Sequence, residues 1–183
     1  MNSDMFARLS GVMLCLAGAA YIADTVLDAL APQISPGLGV LVPVFGLVGF
    51  PGFWLSLRSR TAIALAAYLL GMLGLAGLVV VTFLGNQVFP DLTPQIAGEA
   101  AAVAGPWFLV VGVTFLLSAF LLLRVCWTAG LANRIGAFLY AVGAIPVSLP
   151  PLMPDELVAF GGVTVGVALL VWGGCSMRAQ SMQ

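Results

Sequence analysis

Six long apolar runs, separated by short gaps that hold nearly all of the charged residues, form the main pattern of this chain. Each run has about 20–24 residues, enough for a helix rising 1.5 Å per residue to cross the roughly 30 Å of hydrocarbon in a bilayer. The predicted spans are approximately 8–28, 37–57, 61–84, 104–126, 131–150 and 157–177. We therefore predict an all-α polytopic transmembrane bundle of six helices with short loops, forming a single integral membrane domain over residues 1–183.

Composition supports this prediction. Hydrophobic residues make up 62% of the chain and charged residues 7%, whereas a soluble domain carries about 25% charged residues. Six crossings nearly exhaust the 183 residues, so no room is left for a soluble domain. The lipid bilayer is therefore the expected surrounding of most of the chain.

The charges predict how the chain is threaded, because arginines and acids occupy alternate gaps. The arginine gaps contain Arg8, Arg58, Arg60, Arg124, Arg134 and Arg178, and the other gaps contain Asp24, Asp28, Asp91, Glu99, Asp155 and Glu156. Only Asp4 departs from this separation. Since positive residues in short loops stay on the cytoplasmic side, we predict that both termini are cytoplasmic. The arginine-only basic set and the richness in alanine, glycine, leucine and valine favour a bacterial plasma membrane, the inner membrane.

Several kinds of chemistry are excluded by the residues that are missing. The chain has no histidine and no lysine, which excludes histidine-ligated metals and haem as well as Schiff-base cofactors. Cys15, Cys126 and Cys175 lack the paired spacing of metal or redox motifs. We find no nucleophile motif and no basic patch for nucleic acid. We expect no enzyme activity, no catalytic residues, no cofactor and no metal site.

Glycines recur inside the spans at intervals that place them on one helix face. Helices in lipid associate by close backbone approach, which glycine permits. The candidate helix-packing residues are Gly11 and Gly18, Gly136 and Gly143, and Gly162 and Gly166. Their faces would pack either within one bundle or against other membrane protein subunits, including copies of this chain in a homo-oligomer.

The second span contains Pro43 and Pro51, and the fifth contains Pro146. A proline inside a helix removes a backbone hydrogen bond and collides with the preceding turn, so we predict that the second helix is kinked or broken. Freed carbonyls at membrane depth are tolerated only against protein or a water-lined cavity. These positions are therefore candidates for lining a path.

Polar side chains inside the spans are few. Asp24 and Asp28 are four residues apart, share a helix face near Tyr21 and would line a cation vestibule or lie at a water-exposed helix end. Asp155 and Glu156 open the sixth span, where the helix dipole favours acids; a cation site is the alternative.

Hydroxyl groups are the other polar groups at membrane depth. Thr114 and Ser118 stand four apart on the fourth span. We expect both to bond back to carbonyls of their own helix.

The chain can be divided into internal repeats in two ways. Pro32-Gln33-Ile34 recurs as Pro94-Gln95-Ile96, which indicates three hairpins. Two inverted halves would instead pair the second span with the fifth, as in transporters with interrupted helices. The absence of any repeat is the third alternative.

Three functions are compatible with these features. The leading expectation is a non-enzymatic accessory or scaffold subunit of a membrane assembly. The alternatives are a small transporter or channel for a cation or neutral solute, with a path near the kinked second span, and a lipid or quinone binding protein. The candidate path or vestibule residues are Tyr21, Asp24, Asp28, Pro43, Pro51 and Pro146.

Overall fold

The computed structural model describes residues 3–31, 37–57 and 59–178, and six helices dominate this part of the chain. They are α1 (Ser3–Leu30), α2 (Leu41–Ser56), α3 (Ala62–Phe83), α4 (Pro94–Cys126), α5 (Leu131–Ser148) and α6 (Asp155–Arg178). All six are long and apolar enough to cross a membrane. The predicted all-helical class and the predicted number of helices of membrane-spanning length are confirmed.

Helix starts follow local chemistry. The hydroxyl of Thr61 accepts a hydrogen bond of 3.2 Å from the backbone N–H of Ala64, which caps α3. Pro94 is the first residue of α4, where its missing N–H costs nothing. The fourth helix thus begins ten residues before its predicted apolar span. In the sequence, Ser35-Pro36 also favours a helix start before the second span, since a hydroxyl precedes a proline, but these two residues lie outside the described ones.

The two prolines of the second span occupy different positions in α2. A 3-10 turn over Leu38–Val40 leads into the helix, and Pro43 lies in the first α-helical turn, where proline is tolerated. Pro51 lies inside the helix, which runs without interruption from Leu41 to Ser56. The kink expected at Pro51 stays a prediction.

The helices form a closed ring in chain order. Each helix packs antiparallel against the next one along the chain, and α6 completes the ring by packing against α1. The alternation puts the C-terminal end of α1 beside the N-terminal end of α6. We call this the acidic end of the bundle, because Asp28 and Asp155 lie there; the opposite, arginine end carries Arg8 and Arg134.

Glycines allow α6 to approach both of its neighbours. A methyl group added at Gly18 would lie 2.5 Å from the carbonyl oxygen of Gly166, and one at Gly11 would lie 2.9 Å from that of Gly173. On the other side, a methyl group at Gly143 would lie 2.7 Å from the carbonyl oxygen of Gly161. Such backbone contact leaves no space for a larger residue.

The remaining candidate packing glycines also face neighbouring helices. A methyl group at Gly136 would lie 2.5 Å from the indole nitrogen of Trp172, and one at Gly162 would lie 2.6 Å from the Thr25 hydroxyl. All six candidate glycines therefore face another helix of the same bundle.

An aromatic cluster fills the centre of the ring toward the arginine end. It consists of Phe50, Phe53, Phe115, Tyr140 and Trp172, all of them buried. The Trp172 ring lies 4.3 Å from the ring of Phe53 and 4.9 Å from that of Tyr140, measured between centroids. Stacked and tilted rings at these distances attract one another in addition to excluding solvent.

One hydroxyl differs from the sequence-based expectation. Thr114 donates to the carbonyl of Val110 in its own helix at 2.7 Å, as expected. Ser118, in contrast, donates across the interface to the Ala67 carbonyl of α3 at 2.9 Å. Close packing at Gly71 explains this, because a methyl group there would lie 2.8 Å from the Ser118 hydroxyl oxygen. The expectation for Ser118 was wrong, since α3 comes near enough to offer an acceptor.

Candidate functional site: a central cavity open at the acidic end

A cavity of about 980 Å³ lies inside the ring of helices. Residues from all six helices line it, so it is a central feature of the bundle and not a groove between two neighbours. Sites for small molecules in proteins have volumes of about 300–1,000 Å³. The cavity is therefore large enough for a drug-sized molecule.

The cavity extends deep into the bundle. Its wall includes Asp28 and Leu14 on α1, and Asp155 and Leu169 on α6. Each pair is fourteen residues apart, which corresponds to roughly 21 Å along a helix. This is about two-thirds of the roughly 30 Å hydrocarbon thickness. Beyond Phe50, Phe115 and Tyr140, which line its deep end, the aromatic cluster fills the interior.

The wall is mostly apolar, with polar groups concentrated toward the acidic end. Aliphatic and aromatic side chains such as Phe50, Leu75 and Val165 form the deep part. The polar side chains of the wall are Tyr21, Asp24, Thr25, Asp28, Thr82, Asn86, Tyr140, Asp155 and Glu156. An apolar chamber with a few polar groups on one side is the usual character of a small-molecule site.

Asp24 is the most unusual group in this wall. Its side chain is only 7% exposed, although it is ionisable and lies on a membrane-spanning helix. The backbone amides of Gly39 and Leu38, at the start of the second span, interact with the carboxylate. Its Oδ1 atom is buried and has no hydrogen-bond partner among the described residues.

The burial of Asp24 was not expected of a helix end in water. The cause is the entry of the chain into the second span, which packs over the last turns of α1. A methyl group at Gly39 would lie 2.6 Å from Asp24 Oδ2 and 2.7 Å from Asn86 Nδ2, so glycine is needed for this approach. Asp28, one turn further along, is exposed. The two acids therefore differ in their surroundings.

Asn86 enters the wall from a π-helical turn over Leu84–Val88 that extends α3. A π-helical turn widens the backbone locally, and such turns are frequent at functional sites. Sequence reasoning missed Asn86 and Thr25, which also line the cavity. The available signal was the polar pair Asn86 and Gln87 directly after an apolar run.

The candidate path residues divide into two groups. Tyr21, Asp24, Asp28 and Pro43 all line the cavity, and the structure brings them together. Pro51 and Pro146 lie outside its wall. Pro146 packs on α6 instead, where a methyl group at Gly161 would lie 2.6 Å from its ring carbon Cγ.

The exposed acids Asp28, Asp155 and Glu156 lie where the wall reaches the acidic end. Asp155 and Glu156 also occupy the first turn of α6, as the helix dipole favours. Asp155 and Glu156 can therefore interact favourably with the helix dipole and also line the cavity entrance. The described entrance of the cavity is therefore negatively charged.

The chain matches no known family model, no curated protein and no solved structure. The site must therefore be interpreted from its own geometry. Within residues 3–31, 37–57 and 59–178, no group of three or more acidic or cysteine side chains is placed to hold a metal ion.

Proposed function

We propose that this membrane protein binds a small molecule in the central cavity and belongs functionally to the transporters or channels. The observation that carries the proposal is a cavity of about 980 Å³ lined by residues from all six helices. A scaffold role requires outer surfaces that bind partners, and it does not explain an interior cavity of this size. The negative entrance favours cations and neutral solutes over anions.

The arrangement resembles one state of an alternating-access cycle. The cavity reaches the acidic end, while the aromatic cluster fills the path toward the arginine end. Passage would require Phe53 and Trp172 to separate, through rocking of one part of the ring against the other. If the arginine end is cytoplasmic, as the charge pattern predicts, the cavity faces outward in this state.

The proposal is tested by obstructing the cavity. Ala159 lines it, whereas Ala76 is exposed on the outer surface of α3. Tryptophan at Ala159 would fill part of the cavity, and tryptophan at Ala76 adds the same side chain where lipid surrounds the bundle. We expect Ala159→Trp to abolish solute uptake into proteoliposomes and Ala76→Trp to preserve it.

The solutes for this assay are radiolabelled tetraphenylphosphonium, choline and glycerol, each compared with protein-free vesicles. Faster entry of at least one, lost in Ala159→Trp alone, supports the proposal. Entry that is no faster than in empty vesicles for all three, or that is unaffected by both variants, would count against it.

A second candidate function is the accessory or scaffold role. The observation in its favour is the length of α4, whose 33 residues measure roughly 50 Å against roughly 30 Å of hydrocarbon. Its N-terminal part carries Val103 and Trp107, which are 79% and 72% exposed. A partner that covers this part should be lost in Val103→Arg. If the wild type and Val103→Arg both have a monomeric mass in mild detergent, this role is contradicted.

Lipid or quinone binding is the third candidate, favoured by the apolar character of the deep wall. The side chains of Phe50, Leu75 and Val165 in this wall offer a ligand no hydrogen bonds. Organic extraction of the purified protein followed by mass spectrometry would detect a retained lipid or quinone. Its absence from wild type, or equal amounts in wild type and Ala159→Trp, would argue against a site in the cavity.

A further inference from the structure

Among the side chains that the structure describes, none with a positive charge lies near the carboxylate of Asp24. The described arginine side chains lie at the opposite end of the bundle, and Arg8, on the same helix, is sixteen residues away, roughly 24 Å. An unpaired charge in a buried, low-dielectric position is unfavourable, and ionisable groups inside membranes usually have a functional partner. Asp24 therefore needs a partner that the described side chains do not provide.

The helix start beside Asp24 supplies only part of what is missing. The amides of Gly39 and Leu38 offer partial positive charges to the carboxylate. Oδ1 is left without a hydrogen-bond partner among the described residues, and the side chain is 93% buried in a wall of the cavity. Because Asp24 lines the cavity, the positive group of a ligand there can lie next to this carboxylate.

The rest of the wall limits the ligand's chemistry. No cluster of metal ligands exists in the described part of the chain, which argues against a divalent ion. Below Asp24 the cavity is lined by Tyr21 and then by Phe50, Phe115 and Tyr140. One buried carboxylate next to an aromatic and aliphatic chamber suits one positive charge on an apolar body.

We propose that the central cavity binds a monovalent organic cation whose charged group pairs with Asp24 and whose apolar body occupies the chamber below. This inference rests on the proposed function, since it names the class of molecule for the same cavity. The exposed acids at the entrance would raise the local concentration of such cations. The positive group could belong to a free amine or to the headgroup of an aminolipid; the chemistry at Asp24 is the same.

The test uses three probes of similar shape on the full-length protein in dodecyl maltoside. They are radiolabelled tetraphenylphosphonium, its anionic counterpart tetraphenylborate, and neutral triphenylphosphine oxide, each measured by equilibrium dialysis against empty micelles. We expect saturable binding of the cation, weaker binding of the neutral probe and none of the anion. This comparison needs no variant, so it does not depend on a mutant that folds.

The variants are Asp24→Asn and its control Asp91→Asn, which removes an exposed carboxylate at the same end of the bundle that is not part of the cavity wall. Asparagine keeps an oxygen for the helix start and removes the charge. We expect Asp24→Asn to weaken cation binding by roughly tenfold or more, as for the loss of a buried charged contact. Asp91→Asn, outside the cavity wall, should change it by less than about threefold.

The outcomes separate the two levels of the proposal. If no probe binds saturably to the wild type, the proposed binding cavity is itself refuted. If the neutral probe binds as tightly as the cation, or if Asp24→Asn leaves the affinity for the cation unchanged, the assignment to organic cations is overturned. The proposal that the cavity binds a small molecule would then still hold.

The source of the cation is distinguished by titrating phosphatidylethanolamine into the tetraphenylphosphonium assay. Competition that disappears when phosphatidylglycerol replaces it identifies an aminolipid headgroup as the natural form of the ligand. No competition by either lipid identifies a free cation. Both results support pairing with Asp24. Equal competition by the two lipids would contradict it, because phosphatidylglycerol has no ammonium group.

Discussion

The contact between α1 and α6 at Gly18 provides a sharp test of how this bundle is held together. A methyl group at Gly18 would lie 2.5 Å from the carbonyl oxygen of Gly166, and one at Gly166 would lie 2.9 Å from that of Gly18. Neither carbonyl can rotate away, because each belongs to a helix backbone. Gly18→Ala must therefore push the helices apart.

A matched control exists on the same pair of helices. Gly174 of α6 has no atom within 4 Å of the position that a methyl group would occupy. Alanine has the higher helix propensity by about 0.8–1 kcal/mol at either site, so this gain cancels when the two variants are compared. The difference that remains is the cost of overpacking, about 1–3 kcal/mol.

The assay is thermal denaturation in detergent, followed by the loss of the monodisperse peak in size-exclusion chromatography. For a domain of this size, 1 kcal/mol corresponds to about 2–4 °C, so Gly18→Ala should denature roughly 2–12 °C below Gly174→Ala. Equal midpoints would refute the backbone contact between α1 and α6. A lower midpoint for Gly174→Ala would place the close approach on a different face of α6.

The other predictions concern the site, one buried bond and the orientation. Gly39→Ala places a methyl group 2.6 Å from an oxygen of the buried carboxylate and should weaken tetraphenylphosphonium binding severalfold without removing a charge; unchanged affinity would contradict the geometry at the start of α2. Ser118→Ala should lower the free energy of unfolding by about 0.6–1.7 kcal/mol, because it removes a hydrogen bond between two helices in the membrane. Thr114→Val should lower the free energy of unfolding by less, because the hydrogen bond of Thr114 lies within one helix. Reporter fusions after Arg60 and after Asp91 should appear on opposite sides of the membrane, with Arg60 cytoplasmic; a shared compartment would overturn the orientation.

The six helices could be predicted from the sequence because the thickness of the hydrocarbon layer sets the length of each apolar run. The predicted bounds 131–150 and 157–177 differ by no more than two residues from Leu131–Ser148 and Asp155–Arg178 at each end. The fourth helix differs most, since its first ten residues carry Gln95 and Glu99 and have no reason to register as an apolar run. Pro94 is the residue that favours a helix start at this position, because proline suits the first helical position whether or not the helix lies in a membrane.

The candidate site was only partly readable. Asp24 and Asp28 were identified as a pair, since a spacing of four places them on one helix face. Their different surroundings depend on how the second span enters over Asp24, which is a tertiary contact that no spacing encodes. Asn86 was missed for the same reason, because a π-helical turn rotates it toward the centre.

The cavity itself results from an uneven distribution of side-chain volume along the central faces of the helices. Toward the arginine end these faces carry Phe53 and Trp172, which meet in the middle. Toward the acidic end they carry small residues, including Gly39, Gly46 and Ala159, whose side chains do not reach across the ring. Close backbone contact between α1 and α6 fixes the spacing of the helices, so smaller side chains leave space instead of drawing the helices inward. A bundle with large residues at both ends would be filled throughout, and the chamber beside Asp24 is therefore a direct consequence of where the sequence places its smallest residues.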